Sequence, residues 1–340
     1  MATDSKKYIA KGMDVSHWDE TIDWNKVKAA GIEFVMIKAG GSDGKTSKYY
    51  TDATFEDRYK KAKNAGISVG SYYYVGKDFT TIAEGKKCAQ KFIDMLKGKY
   101  FDYPVVLDIE ETNKGDREKA TVASIAFCDE LIAAGYYPMI YGSDVSVFKE
   151  RLNVDRLTRF DKWVARYSAT NSESKTVAPS YITNYTMWQY TSKGKIDGKS
   201  TDTDLDYVYV DYPTKIKRAG LNGYKATGAN QNESPIKTVD EVADEVLAGL
   251  WGNGNVRKTN LTKAGYIYAE VQAAVNQKIA NAYPVTERVP VDEIVDEILE
   301  GVWGNGNVRK TKLKKAGYTD EEIEEIQEAV NVKLAFLNQK

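Results

Sequence analysis

The sequence predicts an α/β protein, with an irregular (β/α)5β3 barrel over residues 1–213 followed by two small all-α three-helix repeats. Eight short apolar runs alternate with amphipathic stretches early in the chain and crowd together later. The Gly-rich phosphate fingerprint of an open, doubly wound sheet, the alternative architecture, is absent. Residues 239–266 recur at 291–318 with about three quarters of the positions identical, the mark of a duplicated unit.

The candidate strands are 12–16, 34–39, 68–75, 104–110, 138–141, 162–167, 185–190 and 204–210. Helical periodicity falls at 24–30, 51–65, 82–96, 119–134 and 144–151. Regular alternation argues for a parallel sheet, and eight strands in about 200 residues argue for closure. After residue 151 the gaps shorten and lose the helical period, which makes the barrel irregular.

Residues 214–236 are polar and rich in Gly and Asn, as a flexible tether should be. The repeats follow at 237–280 and 291–338. Between them, 281–290 holds two prolines and predicts a stiffer spacer. In the first repeat Val239, Val242, Val246 and Leu250 recur at helical spacing. Stretches 270–279 and 321–334 give a further amphipathic helix in each copy. Such units are near the lower size limit for independent folding.

Composition narrows the function. A net charge of −1 leaves no basic footprint for nucleic acid. No apolar run reaches membrane-span length, and residues 1–11 lack the apolar core of a secretory signal. Synthesis in a reducing compartment is expected. Cys88 and Cys128 fall on expected helices and predict buried free thiols. The 24 Tyr and 6 Trp exceed what cores need and suit sugar contacts, where a ring face packs on C–H groups.

Active residues of a parallel barrel sit at the C-terminal ends of strands. Those ends offer Asp14, Lys38, Tyr74, Asp108, Glu110, Tyr141, Tyr167, Gln189 and Asp204. The run PVVLDIE is the most telling. Asp108 and Glu110 are two apart, so both face one side, roughly 7 Å apart along the strand. Two such neighbours resist joint ionisation, so one holds its proton to higher pH. An acid beside a charged carboxylate is what glycosidic cleavage requires. Tyr72, Tyr74, Tyr141, Tyr167, Trp188 and Tyr190 are candidate groove residues. Alternation admits only some of them, with Tyr74 and Tyr141 preferred.

Other chemistries fit poorly. Asp202, Asp204 and Asp206 start like a calcium loop, but Tyr207 stands where glycine is needed and Pro213 where glutamate is needed. Asp204 is expected to face the mouth while Asp202 and Asp206 flank the strand. His17 is the single histidine, which removes nucleophilic triads and histidine-rich zinc sites and leaves it a structural role. No metal or cofactor is expected. In the repeats, WGNGNVRK joins two helices at 251–258 and 303–310. Its glycines make a helix stop and turn. Trp251 with Arg257, and Trp303 with Arg309, are candidates to stack on and clamp an acidic sugar. Asp244 and Asp296 on the preceding helices are counted with them.

The motifs GMDVSHW, FVMIKAG, GSYYYV, PVVLDIE, MWQY and DTDLDYV, in this order over 8–213, resemble glycoside hydrolase family 25 lysozymes. The resemblance implies a TIM-like barrel and β-1,4-N-acetylmuramidase activity. It makes Glu110 the catalytic acid, supported by Asp14, Asp108 and Asp204. The run DTDLD also permits Asp206 in the last position. The repeats resemble the CW_7 class, which implies recognition of the muropeptide. Bacterial peptidoglycan is then the partner, with the glycan strand in the barrel, the muropeptide at the repeats and a monomeric enzyme. A wall-binding lectin and a wall amidase or peptidase are the competing functions.

Overall fold

A computed structural model of the protein describes residues 7–43, 49–172, 174–226, 237–282 and 291–337. Its strands are β1 (Ala10–Val15), β2 (Phe34–Ser42), β3 (Tyr49–Thr51), β4 (Ser68–Val75), β5 (Val105–Ile109), β6 (Pro138–Ser143), β7 (Asp161–Ala165), β8 (Met187–Gly194) and β9 (Thr203–Val208). Eight of them close a barrel in the order β1-β2-β4-β5-β6-β7-β8-β9, with β9 returning to β1. Neighbours are parallel except at β9, which is antiparallel to both β8 and β1. The short β3 pairs antiparallel with β2.

The outer helices are α1 (Trp24–Ala29), α2 (Phe55–Asn64), α3 (Ile82–Leu96) and α4 (Arg117–Ala133). Residue 51, expected to open a helix, instead ends β3. The stretch expected as a fifth helix, 144–151, is a π-helical turn at Asp144–Lys149. Asp144 itself is buried and accepts from the backbone amides of Ser180, Tyr181 and Ile182, which ties down the loop before β8.

The expected tether begins later than its composition suggests. Helix α5 (Tyr212–Ala219) is capped by Asp211, carries a proline in its first turn and ends at Gly220 in a left-handed conformation with φ 70°. Beyond it Asn222 is fully buried. Its side chain accepts from the Tyr137 amide and donates to the Tyr103 carbonyl, both at 2.8 Å. Polarity there satisfies buried backbone groups, so residues 214–226 fold onto the barrel. Residues 227–236 lie outside the described residues.

Inside the barrel, side chains fill the floor below the site. Gly12 makes room for the ring of Phe34, since a Cβ would fall 2.3 Å from it. Gly70 does the same for Met36. On the outer face Tyr73, Phe92 and Phe127 form an aromatic layer between sheet and helices, with centroids 5.5–6.2 Å apart. Each such buried ring contributes about 2 kcal/mol. Cys88 and Cys128 are free and buried, as expected.

The C-terminal region is helical, with α6 (Val239–Leu247), α7 (Gly254–Lys263) and α8 (Tyr268–Ala282), then α9 (Val291–Leu299), α10 (Gly306–Lys315) and α11 (Asp320–Leu337). The second repeat has its own core of Ile294, Ile298, Trp303, Leu313, Tyr318, Ile323, Ile326 and Val330. The chain divides into two compact units. Residues 253–267, holding α7, belong to the barrel's unit; α6, α8 and the second repeat form the other. Among the described residues no helix is long and apolar enough to cross a membrane.

Candidate active site

The parallel strands open their C-terminal ends on one face, and the expected residues meet there. Asp14 comes from β1, Lys38 from β2, Tyr74 from β4, Asp108 from β5, Tyr141 from β6 and Gln189 from β8; Glu110 directly follows β5. Tyr74, Asp108 and Tyr141 are register partners across β4, β5 and β6. Because β9 runs against its neighbours, its first residues reach this face, and Asp204 lies directly opposite Asp14. In a wholly parallel barrel the same residue would sit at the far end.

Gln189 connects one wall to another. Its carbonyl oxygen accepts from the hydroxyls of Tyr141 at 2.7 Å and Tyr167 at 2.5 Å. Its amide donates to Oδ2 of Asp14 at 2.7 Å. Three expected residues thus hold a fourth in place. On the opposite side Lys38 is buried, its Nζ 4.7 Å from the ring centre of Tyr74 and 5.8 Å from that of Tyr72.

The carboxyls carry unusual protonation. Burial pushes Asp108 well above the usual range, the charge of Glu110 adds to this, and Lys38 opposes it. One Asp108 oxygen, Oδ1, is buried with no hydrogen-bond partner. Glu110 is raised less; it stands at the rim with solvent on one side, and crowding on the other is the main cause. The two carboxyls act on each other's protonation: Glu110 pushes Asp108 up, while Asp108 works to lower Glu110, so the pair titrates jointly. Asp14 is raised well above its ordinary value, by burial first and then by Asp204 and Asp206. Asp204 is pushed up to about 7, by burial first and then by Asp19, with Lys199 opposing. The arrangement keeps protons on the buried carboxyls and leaves the Glu110 carboxyl exposed at the rim beside them.

Two expectations fail at the barrel. Trp188 was expected to contact substrate, but it alternates with the inward Gln189 and therefore points outward. Its ring lies among Tyr185, Tyr190 and Tyr207, and its indole donates to the Arg166 carbonyl. Tyr190, a weaker groove candidate, is likewise outside, stacked on Tyr207 at 4.1 Å. Asp206 was expected to flank the strand, yet it is 0% exposed inside the barrel and accepts from Trp163 Nε1 at 2.8 Å. The signal was present, since residues two apart share a face.

The repeat residues are mostly engaged within their own repeats. Trp303 is 1% exposed, packed edge-on against Tyr318, and donates to Glu297 at 2.8 Å. A ring so enclosed cannot stack on a sugar. Trp251 makes the matching bond to Glu245 at 3.0 Å. Arg309 donates to the Gly304 carbonyl, Gln327 and Asn305, and Arg257 donates to Asn253. Asp244 pairs with Lys278 at 2.8 Å and Asp296 with Lys333.

Sequence reasoning missed a group of charged residues behind Asp14 and Asp204, namely Asp19, Asp52, Arg58 and Lys199. They lie far apart in the chain and have no shared pattern. Among the described residues no group of His, Cys, Asp and Glu has an arrangement able to hold a metal ion.

Residues 13–199 match the model of glycosyl hydrolases family 25, and residues 240–279 and 292–334 each match the CW_7 repeat. An autolytic lysozyme of Clostridium acetobutylicum is 30% identical over 196 residues, covering 58% of this chain and 55% of that protein. Lysozyme M1 of Streptomyces globisporus is 30% identical over 207 residues, covering 57% and 66%. The chain thus spans between half and two thirds of the length of these relatives. The crystal structure of a bacterial lysozyme from Streptomyces coelicolor superposes with a TM-score of 0.50 at 25% identity, covering 61% of this chain and 94% of that one.

Proposed function

Since the chain belongs to glycosyl hydrolases family 25, we propose that it hydrolyses the β-1,4 bond between N-acetylmuramic acid and N-acetylglucosamine in bacterial peptidoglycan. The observation that carries this reading is the neighbouring carboxyls of Asp108 and Glu110 at the mouth, beside Asp14 and Asp204.

Glu110 stands at the rim and gives its proton to the leaving glycosidic oxygen. Asp108 is left as the buried carboxylate, where it faces the positive charge that develops on the sugar or orients its acetamido group. Lys38 helps hold that charge. Water then adds to the sugar carbon, and its proton returns to the carboxyl pair. Asp14, fixed by Gln189, and Asp204 orient and charge-balance the site. Tyr74, Tyr141 and Tyr167 form walls along which a glycan strand lies.

The repeats hold the enzyme on the wall by avidity. Arg257, Arg309, Asp244 and Asp296, held in place by their partners within each repeat, present the contact face, while Trp251 and Trp303 brace it from within. The enzyme works as a monomer, made in the bacterial cytoplasm and reaching the wall after lysis or holin action. Mass spectrometry of digested peptidoglycan tests the reaction. New reducing ends on muramic acid are expected; ends on glucosamine, or released peptide stems, would refute it.

A further inference from the structure

The loop between β1 and α1 is held with unusual force for a surface segment. Arg58 of α2 is buried and donates to the carbonyls of Ser16 and Asp19, the latter at 2.7 Å. Asp19 turns back to accept the Ser16 amide at 2.7 Å. It also pairs with Arg58 and with Lys199, whose side chain is 1% exposed. On the other flank Oδ2 of buried Asp52 accepts both the backbone amide and Nδ1 of His17, at 2.9 and 2.8 Å. The second oxygen of Asp52 is taken by Thr54.

Burying Arg58, Lys199 and Asp52 for one short loop is expensive. The loop they fix nevertheless projects a large apolar side chain into water. Trp18 is 82% exposed, the most exposed large hydrophobic residue among those described. Its indole lies 4.4 Å from the His17 ring. The loop follows a barrel strand at its C-terminal end, so it rises on the mouth face. Asp19, the next residue, is close enough to raise the carboxyls of Asp14 and Asp204.

We propose that Trp18 is a preformed platform on which an N-acetylated pyranose ring of the glycan strand stacks, next to the carboxylate cluster. This rests on the muramidase reading above. An indole face matches the C–H face of a pyranose. Rigidity is the reason for the clamp, because a residue already held in its bound position loses little freedom when the strand arrives. Trp18 therefore binds and aligns the strand while the carboxyl pair does the chemistry.

The full-length protein, W18A and W18Y are compared for kcat and KM on soluble, uncrosslinked glycan strands, with reducing ends identified by mass spectrometry. W18A is expected to raise KM about tenfold with kcat within about twofold. W18Y should recover most of the loss. Melting temperatures should match, since an exposed ring adds little to the fold. A W18A enzyme with wild-type KM, or with kcat reduced at constant KM, overturns the platform and leaves the muramidase reading intact. Wild-type enzyme that yields no muramic-acid ends overturns both.

Discussion

The barrel mouth and the second repeat use the same kinds of residue in opposite ways. In the repeat, Trp303 has its indole satisfied by Glu297, Arg309 is spent on three partners within the repeat, and Asp296 is paired with Lys333. At the mouth, Asp108 keeps a buried oxygen without a partner, Asp206 does so below it, and burial, reinforced by neighbouring carboxyls, makes these groups retain protons. Polar groups that satisfy one another build a scaffold. Polar groups left unsatisfied by the fold are held ready for a substrate, and the fold bears the cost.

The sharpest way to break this contrast is Glu110→Gln. Turnover should fall about a thousandfold, as expected on removing a general acid, while sedimentation with purified walls stays unchanged. Near-normal clearing by that variant would end the assignment. Next is Trp303→Ala in the repeat. Loss of a fully buried indole should cost the repeat about 3–5 kcal/mol, seen as a lowered thermal transition. Turnover of soluble glycan by the barrel should persist. If wall binding falls with no loss of stability, Trp303 contacts ligand after all.

A smaller effect tests the Gln189 connection. Gln189→Leu removes the amide that fixes Asp14 and should lower kcat about tenfold, since misplacing a supporting group by an ångström loses one to two orders of magnitude. Melting temperature should fall as well, since the hydroxyls of buried Tyr141 and of Tyr167 lose their acceptor.

The last test reads stability against pH. Asp204 ordinarily ionises near 3.8 and is pushed up to about 7 here. Below the lower value both folded and unfolded chains hold the proton. Between the two values the folded state keeps a proton that the unfolded chain has released, so stability falls as pH rises through this window. Asp204→Asn should therefore raise the melting temperature at pH 8 by an amount on the order of 10 °C and leave it unchanged near pH 3.5, while reducing activity. Equal melting curves at both pH values would show that the mouth stores no such strain.

Much of this was legible in the chain. Apolar runs of strand length separated by helical stretches already implied closure, and PVVLDIE placed Asp108 and Glu110 on one face because alternation is a local rule. The same rule, applied strictly, would have sent Trp188 outward and Asp206 inward. The tether was misjudged because polar composition cannot tell solvent-facing Asn from Asn222, which bonds a buried backbone. Asp144 and the β1–α1 clamp had no local pattern, since their partners lie in remote parts of the chain.

By itself the sequence determined the periodicities, and through them the barrel, the duplicated repeat and which residues share a face. These follow from backbone geometry within a few residues. Only the tertiary structure decided that β9 runs antiparallel and so brings Asp204 across from Asp14. It also decided that Gln189 links Tyr141 and Tyr167 to Asp14, and that Trp303 is enclosed while Trp18 stands in solvent. Each of these depends on which distant segments meet, and neither strand direction nor enclosure is set by local geometry.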